Sequence, residues 1–334
     1  MSRIAVLGGG SWGTALAILL ARSRHAHEIS LWVHDGKLAE EMRRTRENSV
    51  YLPGHALPAL VHVRHELAKT LEKAEIILGA VPAAHARAVY MEAFPFIARD
   101  AAVVSGTKGL EPTTHLRISD VIGQVGCGKD ISGVAVLSGP SFAQEVVRGD
   151  PTAAVLAGED PGMLARLQED LAGPTFRLYA NSDVLGVELG GAMKNIIAIA
   201  AGVCQGIGLG SNTLAALITR GLAEMTRAAV ALGARGETLS GLAGLGDLVL
   251  TCTGNLSRNR YVGVELGKGR KINEILAEMR MVAEGVGTTS ALMTLAREVG
   301  VELPITEQVN AILHEGKSPS EAIRAIMERP QKRE

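Results

Sequence analysis

Ile4-Ala5-Val6-Leu7-Gly8-Gly9-Gly10-Ser11-Trp12-Gly13-Thr14-Ala15-Leu16-Ala17 passes from an apolar run, through a glycine-rich loop, into a stretch with helical spacing. The loop from Gly8 to Gly13 satisfies G-x-G-x-x-G. Glycines let such a loop turn sharply and let a pyrophosphate approach the backbone. The helix that follows offers unpaired N–H groups and the positive end of its dipole. The motif carries weight only between a strand and a helix, and here it lies between them. The reading is a doubly wound α/β domain that binds a dinucleotide.

The sequence on either side fits that reading. Apolar, β-branched runs recur at Ile29 to Val33, Ile76 to Val81, Ala102 to Ser105, Val134 to Leu137 and Ala153 to Leu156. Helical stretches such as Thr14 to Ala21 and Leu38 to Arg46 lie between runs. Alternation of this kind predicts a parallel sheet with helices on both faces. The second run ends in Trp32-Val33-His34-Asp35, with His34 at the tip and Asp35 one step beyond. An acidic tip would hold the ribose hydroxyls of NAD, whereas a neutral or cationic one admits the 2′-phosphate of NADP. The strand therefore leaves the cofactor preference open, and use of either NADPH or NADH is expected.

The rhythm changes near Asn181. From Val184 to Gly233 the chain is rich in Ala, Ile, Leu and Gly, and Ile272 to Met279, Thr288 to Val299 and Ile305 to His314 also carry helical spacing. The expected division is a nucleotide-binding domain over residues 1–181 and an all-α domain over 182–334. The charged tail from Arg329 to Glu334 reads as a frayed end. Two domains suit a chain of 334 residues.

Charge and composition exclude several classes. Lys plus Arg number 34 against 35 for Asp plus Glu, which argues against a nucleic-acid-binding surface. The three cysteines, Cys127, Cys204 and Cys252, lack CxxC spacing and read as reduced thiols. His62, His65, His85 and His115 show no metal-ligand spacing, so no metal is expected. Strand-like residues begin almost at once, and the apolar run Ile196 to Val203 is short for a membrane span. The expectation is a cytoplasmic protein without a membrane span.

Four further segments make the proposal specific. Ser105-Gly106-Thr107-Lys108-Gly109 and Ser138-Gly139-Pro140-Ser141-Phe142-Ala143 each follow a strand, at the end where doubly wound sheets bind ligands. Gly190-Gly191-Ala192-Met193-Lys194-Asn195 lies in the long apolar helix. Gly244-Leu245-Gly246-Asp247-Leu248 continues through Thr251-Cys252 to Leu256-Ser257-Arg258-Asn259. With the opening loop and the Val282-Ala283-Glu284-Gly285 segment, this set resembles the bacterial NAD(P)-dependent glycerol-3-phosphate dehydrogenase family over nearly the whole chain.

The resemblance implies an N-terminal Rossmann domain, a C-terminal helical domain like that of 6-phosphogluconate dehydrogenase, and a homodimer. It implies reduction of dihydroxyacetone phosphate to sn-glycerol 3-phosphate for phospholipid synthesis. Lys194 then looks like the catalytic acid/base, with Lys108 and Asp247 beside the substrate and Gly139 and Ser141 as further contacts. Ser257, Arg258 and Asn259 resemble the phosphate-binding group. Gly8, Gly10, Ser11, Trp12, Gly13, His34, Tyr51, Lys108, Ala143, Arg258, Val282 and Glu284 resemble cofactor contacts.

The chemistry can also be argued from the residues alone. Hydride transfer to a ketone leaves an alkoxide that needs a proton donor. Lys194 sits among Ala192, Met193, Ile196 and Ile197, where burial would lower its pKa, unless it snorkels to solvent. Arg258 with Asn259 suits a phosphate, or else a surface ion pair. Asp247 fits a catalytic partner and a helix cap equally well. Two other functions compete. An enzyme of the same architecture acting on a hydroxy acid would ignore dihydroxyacetone phosphate. A dinucleotide-binding redox sensor would bind cofactor without turnover.

Overall fold

The computed structural model describes residues 2–128 and 131–330, so the last four residues of the charged tail lie outside the described residues. The nucleotide-binding half runs β1 (Arg3–Leu7), α1 (Ser11–Ala21), β2 (Glu28–Trp32), α2 (Gly36–Thr45), β3 (Glu47–Asn48), β4 (Leu52–Ala56), β5 (Val61–Arg64) and α3 (Leu67–Leu71). It continues with β6 (Ile76–Gly79), α4 (Ala83–Ala93), β7 (Ala102–Ser105), α5 (Ile118–Val125), β8 (Gly133–Ser138), α6 (Ala143–Arg148), β9 (Thr152–Ala157), α7 (Pro161–Leu171) and β10 (Phe176–Asn181).

Eight of these strands form one sheet in the order β10-β9-β8-β7-β6-β1-β2-β5, and β3 and β4 form a separate pair. The strands from β5 to β8 are mutually parallel, as the alternating sequence predicts. Beyond them β9 reverses against β8, and β10 runs parallel to β9. The sheet is therefore mixed at that edge. The sequence reading missed β5 and β10, which are edge strands with outward polar residues: His62 is exposed between Val61 and Val63, and Arg177 and Tyr179 flank Leu178. The strand read as ending at Val81 stops at Gly79, and Ala80 and Val81 instead face the glycine loop. Chain order reverses between β1 and β6, so a crevice opens beyond their carboxyl ends, the usual ligand position in such sheets. Apolar cores built on Ile4, Ile29 and Leu31 and on Ala5, Ile77 and Val103 cover the two faces.

The second half is helical: α8 (Val184–Gly206), α9 (Ser211–Ala231), α10 (Gly236–Leu239), α11 (Asp247–Thr253), α12 (Arg258–Gly267), α13 (Ile272–Glu278), α14 (Glu284–Glu298), α15 (Pro304–His314) and α16 (Pro319–Met327). Asp183 starts α8 by accepting the Gly186 N–H at 2.9 Å. With 23 residues, α8 is long and apolar enough to cross a membrane, well beyond the short run read from sequence, but 83% of its apolar window is buried inside the protein. Its glycines serve packing: a Cβ on Gly202 would stand 2.0 Å from the Arg260 carbonyl oxygen, so α12 can approach only because none is there. Glu188 docks α8 onto the first half by accepting the Ser119 N–H at 3.0 Å.

Candidate active site

A cleft of about 720 Å³ lies between the carboxyl ends of the strands and the helical half. Every residue proposed above as a site residue lines it except Gly13 and Gly139. Gly13 is buried in the first turn of α1, and the Gly139 carbonyl accepts a hydrogen bond from Lys108 Nζ at 2.7 Å.

At one end the glycine loop meets the start of α1. Gly8 has φ +120°, and a Cβ there would come 2.6 Å from the Ala80 carbonyl oxygen. Gly10 precedes α1 and no side chain caps the helix, so the first-turn N–H groups remain free for an anion. Space around Gly10 is open to 4 Å, and the buried Trp12 Nε1 has no partner among the described residues. This uncapped terminus, with an open approach and a spare donor, fits the pyrophosphate of a dinucleotide. Ser11 Oγ donates to the Tyr51 carbonyl at 2.8 Å and lies 3.1 Å from Met281 Sδ, so the backbone of Tyr51 holds the loop from the side. Ala143 begins α6 and lines the cleft, as does Val282. The Asp35 carboxylate is used in capping α2, accepting from Lys37 N at 2.8 Å and Leu38 N at 3.2 Å.

At the other end α8 and α11 bring three charges together. Asp247 binds Lys108 Nζ at 2.7 Å through Oδ2 and Lys194 Nζ at 3.0 Å through Oδ1. It begins α11 directly after a π-helical turn, Leu242–Gly246, but its carboxylate caps no helix. The cap reading is thereby set aside. Lys194 also donates to Thr251 Oγ1 at 2.8 Å, and that hydroxyl bonds back to the Asp247 carbonyl at 2.6 Å. Lys108 reaches Ser141 Oγ at 3.3 Å. Lys194 is only 6% exposed, so it does not snorkel. Burial is the main influence on its ammonium and, with Lys108 nearby, lowers its pKa to about 8 against the attraction of Asp247. For Asp247 burial acts upward, but the two lysines together hold it below its ordinary value.

The phosphate candidates lie beside this triad. Ser257 caps α12 by accepting from Arg260 N at 3.2 Å. Arg258 is open to the water of the cleft yet crowded by protein. Burial lowers its pKa, and Glu284 acts in the opposite direction. Glu284 accepts the Ala83 N–H at 3.0 Å, joining α14 to α4 across the cleft. Asn259 donates to Asn195 Oδ1 at 2.8 Å and accepts from Gly285 N at 2.9 Å, while Asn195 donates to the Lys108 carbonyl at 3.1 Å. The roles of Thr251 and of this amide relay were not read from sequence. Thr251 lies one helical turn after Asp247, a spacing that could have revealed it. No group of His, Cys, Asp and Glu suited to a metal occurs among the described residues.

The site can therefore hold a dinucleotide at the glycine loop and place an anion and a polarised oxygen near Lys194. Comparison with known proteins shows the family. The N-terminal model of NAD-dependent glycerol-3-phosphate dehydrogenase matches residues 3–164, and the C-terminal model matches residues 183–324. A glycerol-3-phosphate dehydrogenase [NAD(P)+] of Koribacter versatilis is 52% identical, covering 99% of this chain and 98% of its own. The crystal structure of glycerol-3-phosphate dehydrogenase from Coxiella burnetii superposes with a TM-score of 0.93 at 42% identity, over 98% of this chain and 99% of that one. A ketopantoate reductase from Ralstonia eutropha, at 15% identity and a TM-score of 0.61 over 96% and 99% of the two chains, shares the fold alone.

Proposed function

Since the chain belongs to the NAD-dependent glycerol-3-phosphate dehydrogenase family and reduces dihydroxyacetone phosphate to glycerol 3-phosphate with NADH or NADPH, we propose that Lys194 is its proton carrier. The glycine loop and the start of α1 would hold the pyrophosphate of the dinucleotide, whose reduced nicotinamide would supply the hydride. In reduction the Lys194 ammonium gives its proton to the oxygen of the substrate ketone, and solvent restores it. In oxidation its neutral amine takes the proton of the secondary hydroxyl. The observation that carries this reading is the state of the two lysines. An ammonium has three N–H donors. Those of Lys108 meet Gly139, Ser141 and Asp247. Lys194 uses two, on Asp247 and Thr251, which leaves one for the substrate.

The pH dependence of turnover tests the assignment. With the Lys194 pKa at about 8, kcat/KM for reduction should be level below that value and fall above it. Oxidation should show the reverse, because its base is the deprotonated amine. Profiles with no inflection between about pH 7 and 9, under conditions where chemistry limits the rate, would remove Lys194 from this role.

Arg258 and Asn259 bind the substrate phosphate in the same reading, with Ser257 holding the start of α12. Arg258→Ala should cost at least about tenfold in kcat/KM for the phosphorylated ketone, because a charge-assisted hydrogen bond is lost. Unphosphorylated dihydroxyacetone should lose almost nothing. Equal losses on both substrates would assign Arg258 to the cofactor or to structure instead.

The reading divides the chain into residues 1–181 and 182–334, supported by the last strand ending at Asn181 and the helical half beginning at Val184. It makes the enzyme a cytoplasmic homodimer that supplies glycerophospholipid synthesis. Its three free cysteines suit a reducing compartment.

A further inference from the structure

Four lysine and arginine side chains line the cleft among the described residues: Lys108, Lys194, Arg258 and Arg280. Lys108 and Lys194 meet on Asp247, and Arg258 feels the charge of Glu284. Arg280 lies on the connection 279–283 between α13 and α14, is exposed, and takes part in no ion pair or hydrogen bond among the described residues. Its neighbour Met281 places Sδ 3.1 Å from the Ser11 hydroxyl, and Glu284, just after the connection, holds the Ala83 N–H. These two contacts lay the connection across the cleft above the glycine loop. Arg280, which lines the same cleft, is carried on this connection from the helical half.

The β2 tip offers the cleft no fixed positive charge. Asp35 is a carboxylate occupied in capping α2, and His34 stands edge-on to Trp32 with ring centroids 5.6 Å apart. Lys37, the first cation after the tip, does not line the cleft. A 2′-phosphate placed there would meet a carboxylate and an imidazole. The pyrophosphate, by contrast, already has the uncapped terminus of α1. We propose that Arg280 reaches across the cleft to bind the adenosine 2′-phosphate, so that use of NADPH depends on a residue of the connection and not on the β2 tip alone. A guanidinium suits this task because its forked donors match phosphate oxygens and its charge is permanent. The inference rests on the reading of this cleft as the dinucleotide site.

The test is binding to the intact protein, without substrate. Affinities for NADPH and NADH are followed by nicotinamide fluorescence, and those for 2′,5′-ADP and 5′-AMP by the change in Tm. Arg280→Ala should weaken NADPH and 2′,5′-ADP by about tenfold or more and leave NADH and 5′-AMP within about twofold. Arg280→Lys should restore part of the loss, and added salt should shrink the difference between wild type and Arg280→Ala. Equal weakening of NADPH and NADH would assign Arg280 to the pyrophosphate and overturn the proposal, as would no change in either. Failure of the wild-type protein to bind any of the four compounds would instead remove the cleft assignment beneath it.

Discussion

Replacing Lys194 with alanine is expected to lower kcat for reduction by about 10²–10⁴-fold, the usual contribution of a positioned general acid. NADPH affinity should stay near wild type, because the glycine loop and α1 lie in the other half of the protein, across the cleft from α8. Loss of kcat with cofactor binding retained is the signature of a group that acts in the transition state. Lys194→Met separates chemistry from packing, since it keeps much of the stem and removes the charge. Asp247 would still have Lys108 at 2.7 Å, so no buried carboxylate would be left unpaired. Replacing a buried ion by an apolar group of similar volume is often neutral or stabilising, and an unchanged or higher Tm is expected. If either variant kept more than about a tenth of wild-type kcat with chemistry limiting, Lys194 would not be the acid. Lys108 would be the next candidate, although it would first have to release one of its three present partners.

Much of this site could be read in the sequence because its chemistry sits in short, ordered segments. Gly8 to Gly13 needs only its local context, a strand before and a helix after, to be interpreted. Lys194 stands out because a lysine amid Ala192, Met193, Ile196 and Ile197 is costly unless it is used. Asp247 marks the limit of that method. Local sequence allows a cap or a counter-ion, and only the fold brings Lys108, from the loop after β7, and Lys194, from α8, to the same carboxylate. The relay Gly285–Asn259–Asn195–Lys108 was invisible for the same reason, since its members come from four separate elements. In the sheet, the buried central strands were legible as continuous apolar runs. The edge strands β5 and β10 were not, because each buries only one face and its alternating polar residues resemble a loop. The reversal of β9 against β8 leaves no mark in composition, as a buried apolar strand reads the same in either direction.

Asp247→Asn should change both the stability of the protein and the pH at which it works. In the wild type one carboxylate faces two ammonium groups in a buried site. Asparagine keeps the shape but leaves those two charges facing each other without a counter-ion. Breaking a buried pair costs about 3–5 kcal/mol, and the expected loss is at the lower end because Lys194 can shed its proton. A denaturant midpoint at neutral pH measures it. Asp247 is held below its ordinary value of 3.8, so its stabilising effect is fully present above that pH and is lost as pH falls through the folded value. The difference between wild type and variant should therefore close in acid. The catalytic consequence has a definite sign. Asp247 raises the Lys194 pKa against burial and Lys108, so its removal must move the midpoint below about 8. Reduction would then begin to fail at a lower pH, and the oxidation profile should move by the same amount, since one group serves both directions. A tenfold weaker hold on the proton corresponds to about 1.4 kcal/mol of lost preference for the ammonium. A variant with its midpoint still near 8 and its stability unchanged would show that Asp247 does not hold Lys194, and the proton-carrier assignment would lose its electrostatic basis.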